Sequence, residues 1–139
     1  MADKDFVRFL SMIDWLVVSL QLLVAFAMLD VWLIRYNSPG FSRGGDAKTM
    51  AEEFRVYGLP DWFRNLIRVL KLAAGGMMVL GIWWPECALI SGSSLSIMMI
   101  GAMVMHFKVR DPIYKVLPSA FFGLVSFIVF WNYFPNQIL

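Results

Sequence analysis

Cysteine and histidine are almost missing from this chain. Its 139 residues hold one of each, Cys87 and His106. A single cysteine excludes an intrachain disulfide and any CxxC redox or zinc motif. A single histidine excludes a multi-histidine haem or metal site built from this chain alone. Charge is scarce as well. Asp, Glu, Lys and Arg make up 16% of the chain, against roughly 25% in soluble domains. The net charge of +2 is too small to argue for nucleic acid, and no nucleic-acid partner is expected. There is no low-complexity segment, no Gly-rich phosphate loop, no HExxH and no Ser–His–Asp order. Gly44-Gly45 reads as an ordinary loop.

What the chain has in excess is apolar sequence, 60% of its residues. A spanning helix needs about 20 apolar residues. Four runs reach that length, at residues 13–34, 62–84, 87–107 and 114–134. They occupy more than half of the chain, so residues 1–139 are expected to form one membrane domain. Its fold class is all-α, a four-transmembrane-helix bundle. The first run is too long and continuous for a removed signal peptide and reads as a retained span.

The segments between the runs are short. Asn37, Ser38, Pro39 and Gly40 break the first helix, and residues 41–47 read as a flexible loop. Residues 48–57, KTMAEEFRVY, predict a short helix with Met50, Phe54 and Tyr57 on one face. Such an amphipathic segment suits the bilayer surface or the mouth of the bundle. Asp61 is the expected N-cap of the second span and Asp111-Pro112 that of the fourth. The tail PNQIL is too short to fold. Two hairpins would place the 1–2 loop and the 3–4 connector on one side. Ten of the 12 Lys and Arg lie between Arg35 and Lys115, which predicts a cytoplasmic side for both connectors.

Few ionisable groups fall within the spans, and a charge in hydrocarbon is a functional-site candidate by default. Asp30 and Lys71 stand out. Arg64 and Arg68 can extend to the headgroups. Lys71 lies about 13 Å along its helix from Trp62, near mid-bilayer. Gly75 and Gly76 allow a neighbouring helix to come close. An Asp30–Lys71 ion pair is therefore expected, acting either as a ligand-orienting site or as a latch that fixes helix register. His106, Lys108, Arg110 and Asp111 form a polar mouth on the same side. It suits a quinone head, an anion or a partner's loop, or is simply a solvated connector. The methionines within the spans read as adaptable apolar filler more than as a Cu(I) site.

Two segments carry a family resemblance. Residues 57–85, YGLPDWFRNLIRVLKLAAGGMMVLGIWWP, resemble the second span of the DoxX-like family, with Gly-x-Pro before a Gly-rich apolar helix closed by Pro. Residues 101–125, GAMVMHFKVRDPIYKVLPSAFFGLV, resemble its third-span exit, with a His, a short basic stretch and Asp-Pro. The resemblance implies a four-helix membrane bundle. It also implies kinship with the small subunit of a thiosulfate–quinone oxidoreductase, with redox-associated membrane partners and with receptor-assembly chaperones. The family pattern ends span 1 with Lys and carries Glu in span 2. Asp30 and Lys71 exchange those signs, which puts in doubt any role that needs a carboxylate in span 2.

Two functions are compatible with these observations. One is a non-catalytic accessory or assembly subunit of a larger membrane complex. The other is a membrane subunit of a quinone-linked oxidoreductase. The absence of a redox ligand set favours the first. The expected cofactor list is empty apart from a bound lipid or quinone. The expected partners are the bilayer and either a larger membrane protein or further copies of the chain. The expected location is a bacterial inner membrane.

Overall fold

The computed structural model describes residues 3–135; residues 136–139 of the tail lie outside them. All regular structure among the described residues is helical. Helix α1 spans Lys4–Leu29 and passes without a break into a π-helical turn, Asp30–Ile34. Helix α2 is the short Met50–Val56. Helices α3, Asp61–Leu80, α4, Pro85–Lys108, and α5, Ile113–Tyr133, follow. α1 packs on α3 and α5, and α4 packs on α3 and α5. The long helices therefore close a ring.

Several boundaries differ from those expected, each for a local reason. α3 stops at Leu80 because Gly81 caps it, its N–H bonding back to the Met77 carbonyl and that of Ile82 to the Val79 carbonyl. α4 then starts at Pro85, whose missing N–H costs nothing in a first turn. Asp61 is the first residue of α3, not its cap, and its carboxylate accepts from Arg64 at 2.6 Å. Asp111 does not cap α5 either. Pro112 holds that position, and the Asp111 carboxylate turns to the 1–2 loop.

The surface is far more apolar than that of a soluble protein. Small and polar residues share the interior with an apolar core that includes Val24, Trp32, Met78 and Leu95: Gln21, Ser91, Gly92, Ser119, Gly123 and Ser126 are buried. Gln21 donates to the Met78 carbonyl at 3.0 Å and accepts from the Tyr133 hydroxyl at 3.1 Å. One amide thus ties α1, α3 and α5. Large apolar side chains such as Trp15, Phe26, Ile97, Phe121 and Leu124 point outwards. An apolar coat of this extent belongs in lipid, not in water. Among the described residues three segments are long and apolar enough to cross a membrane: Ser11–Ile34, Pro85–Lys108 and Ile113–Tyr133. α3 is of similar length but carries Asp61, Arg64, Arg68 and Lys71.

Glycine sets the closest approaches. A Cβ on Gly75 would sit 3.1 Å from the Met28 side chain, so α1 and α3 meet there. A Cβ on Gly92 would sit 2.9 Å from backbone atoms of Ser126 and Phe130, so α4 and α5 nearly touch. Close backbone contact of this kind is how helices associate where no hydrophobic effect separates them from lipid.

Candidate functional site

The 1–2 loop is not the flexible segment its composition suggests. Arg43 is buried in it, and its guanidinium reaches Glu53 of α2 at 3.0 Å and the Arg35 carbonyl at 2.7 Å. Glu53 also accepts from the Gly44 N–H at 2.8 Å and from the Tyr57 hydroxyl at 2.9 Å. Gly44 is required for that fold of the loop, since a Cβ would lie 2.4 Å from the Tyr57 hydroxyl. Thr49 caps α2, its hydroxyl accepting from the Glu52 N–H, as an N-cap should. Its apolar stripe, Met50, Phe54 and Tyr57, is buried against the bundle.

The same loop is tied to the α4–α5 connector. Asp111 accepts from the Gly45 N–H at 2.9 Å and lies 2.7 Å from His106 Nδ1. Lys115 donates to the Gly45 carbonyl at 2.6 Å, and Lys108 to the Tyr57 carbonyl at 2.8 Å. Burial pushes the Asp111 carboxyl up. The hydrogen bonds from His106 and Gly45 and the charge of Lys115 outweigh it and hold the group below its usual range. An ionised Asp111 needs a donor, which assigns the proton of His106 to Nδ1. Tyr57 lies 3.3 Å from that ring. Its phenol is raised far above its usual value, first by burial and then by the Glu53 charge, so it stays protonated.

Beneath this polar cap lies a chamber of about 420 Å³, a size typical of small-molecule sites. The π-helical turn supplies Trp32 to its wall, α2 Phe54, α3 Phe63 and Lys71, α4 Met98, Met99 and His106, and α5 Phe122. Lys71 is 6% exposed. Its ammonium sits 4.8 Å from the centroid of the Trp32 ring.

The expected Asp30–Lys71 ion pair does not form. Asp30 is held by Arg35, whose Nε donates to its carboxylate at 2.7 Å. The reason is the π-helical turn. Its wider winding stacks residue i+5 over residue i, and the Arg35 N–H accordingly bonds the Asp30 carbonyl at 2.7 Å. Asp30 gains a local guanidinium, and Lys71 is left facing the chamber. Arg68 does not extend to the headgroups either. It donates to the Trp32 carbonyl at 3.1 Å and lies over the Tyr36 ring. Of the polar mouth, His106, Asp111 and Lys108 come together against α2 and the loop. Arg110 stays apart, exposed, in a left-handed turn with φ of 58°.

Glu53, Arg43, Tyr57 and Gln21 were missed as interior polar groups. The spacing of Tyr57 from Glu53, four residues on one helix, was the available signal for that contact. Nothing in spacing alone links Arg43 to Glu53 across a loop.

The profile of the DoxX-like family matches residues 19–129. That stretch covers most of the chain, from the middle of α1 to the last turns of α5. The chain belongs to the DoxX-like family. Membership and the apolar coat together make it an integral membrane protein. No curated protein and no solved structure matches it.

Proposed function

We propose that this DoxX-like chain is a four-span accessory subunit of a bacterial inner membrane, without chemistry of its own. In this reading it holds a small, mostly apolar molecule inside its bundle and works beside a larger membrane protein. The carrying observation is the chamber of about 420 Å³ under α2. α3 serves as the fourth span because its charges are turned from the lipid. Arg64 pairs with Asp61, Arg68 folds onto Tyr36, and Lys71 faces inwards. Leu66, Val69 and Leu70 remain as its outer face. α2 acts as a fixed cover over the chamber, held by the Arg43–Glu53 and Asp111–Gly45 contacts.

The aromatic lining favours a second, narrower reading, a quinone-linked subunit. Trp32, Phe54, Phe63 and Phe122 offer ring faces for stacking, and Lys71 could donate to a quinone carbonyl. The subunit would then present the quinone to a partner that carries the redox centres.

Purification from native membranes in mild detergent, followed by mass spectrometry of bound proteins and small molecules, tests the proposal. A co-eluting larger membrane protein and a stoichiometric apolar molecule are expected, the latter a quinone if the narrower reading holds. A chain that elutes alone and empty, or that turns over a substrate without a partner, would overturn the proposal.

A further inference from the structure

We infer that the chamber is made for an apolar molecule with one oxyanion head, a carboxylate or an ionised phenol, and that Lys71 is its counter-charge. The inference rests on the ligand-holding reading above and specifies which ligand class fits it. Lys71 is 94% buried by its 6% exposure, and it lines the chamber. Among the described residues its ammonium has no hydrogen bond and no ion pair, and it lies over the face of Trp32. A ring face offsets a cation only in part, and an ammonium without an acceptor in an apolar site is costly.

The other charged groups at the chamber wall are already satisfied. Arg43 is paired with Glu53, Arg35 with Asp30, and Lys115 with the Gly45 carbonyl and Asp111. His106 is bonded to Asp111. Glu53 is the anion whose charge reaches Lys71, but it is not bonded to it. Its two oxygens are taken by Arg43, Gly44 and Tyr57. Among the described residues the wall therefore carries one cation with no hydrogen-bonded anion of its own, in a space whose walls include Trp32, Phe54, Phe63, Phe122 and several methionines. A ligand acid would complete that balance. It would accept from Lys71 while its apolar body lies between Trp32 and Phe122. A neutral ligand of the same shape would leave the charge uncompensated.

The test uses two probes of matched shape, para-butylbenzoate and its primary amide. Binding is measured by equilibrium dialysis at neutral pH against the protein in phosphatidylcholine nanodiscs, with empty nanodiscs subtracting lipid partition. The acid is expected to bind at least about tenfold tighter than the amide. Lys71→Met should bring the acid down to the level of the amide and leave the amide unchanged. A smaller ratio in the wild type overturns the inference without any variant, so it remains falsifiable if Lys71→Met does not fold. Retained acid preference in folded Lys71→Met overturns it too. A short-tailed quinone and the amide both binding, with the acid no better, would sink the oxyanion reading and leave the ligand-holding one standing. No binding of acid, amide or quinone would sink both.

Discussion

Three groups converge on the Asp111 carboxylate: the Gly45 N–H, His106 Nδ1 and Lys115 Nζ. Its side chain is 3% exposed, so little water competes with them. The carboxyl is held below its unfolded value. Its contribution is therefore fully present above the unfolded value of about 3.9 and is lost as pH falls through the lower folded value. Hydrogen exchange at the Gly45 amide, corrected for intrinsic rate, should stay slow and flat from neutral pH down to about 5, and protection should fall only below about 4. Loss of protection between pH 7 and 6 would show that Asp111 does not control the loop. Asp111→Asn should remove about 1.5–3 kcal/mol of loop attachment, the usual worth of hydrogen bonds to a charged group. His106, Lys108 and Asp111 could be singled out from sequence because they follow one another at a helix end. Their contacts with Gly45 and Tyr57 could not, since those span more than 48 residues of chain.

Among the elements, the π-helical turn at Asp30–Ile34 and the α4–α5 seam carry most of the site's geometry. The turn had no legible signal. Asp30 and Arg35 are five apart, and that spacing has meaning only once the winding is known. The ion pair expected between Asp30 and Lys71 was lost for this reason alone. The seam was more legible, because the small residues from Ser91 to Ser96 and Gly101 announce close contact. The structure separates those that are used from those that are not. Gly92 meets backbone of α5, whereas Gly101 and Gly76 have nothing within 4 Å of an added Cβ. Gly92→Ala should therefore push α4 from α5 and destabilise the bundle by roughly 1–3 kcal/mol, the usual cost of overpacking. Gly76→Ala should be neutral or slightly stabilising, through better helix propensity. Thermal unfolding of both variants in one detergent gives the comparison. Equal behaviour of the two would show that α4 and α5 are not in backbone contact.

For the whole molecule, the decisive question is where α3 runs. Apolar runs reveal helices readily, and the strongest three of them need no structure to be seen. α3 is harder because Arg64 and Arg68 are spent on specific partners and Lys71 is turned inwards, all of which composition counts as exposed charge. Its 20 residues extend about 30 Å at 1.5 Å per residue, matching a hydrocarbon core of about 30 Å. The contacts of Gly45 and Lys115 already join the 1–2 loop to the α4–α5 connector at one end of the bundle. If α3 spans, the short Gly81–Trp84 turn between α3 and α4 must lie at the opposite face. Single cysteines placed in a Cys87→Ser background test this directly. Asp46→Cys and Arg110→Cys, both at exposed positions, should react with a membrane-impermeant maleimide from the same side. Glu86→Cys, exposed at the start of α4, should react only from the other. The abundance of Lys and Arg between Arg35 and Lys115 predicts that this first side is the cytoplasmic one, which labelling of intact cells checks. Reaction of all three from one side would remove α3 from the bilayer. The chamber would then be an interfacial groove, and Lys71 would no longer be a charge confined in hydrocarbon.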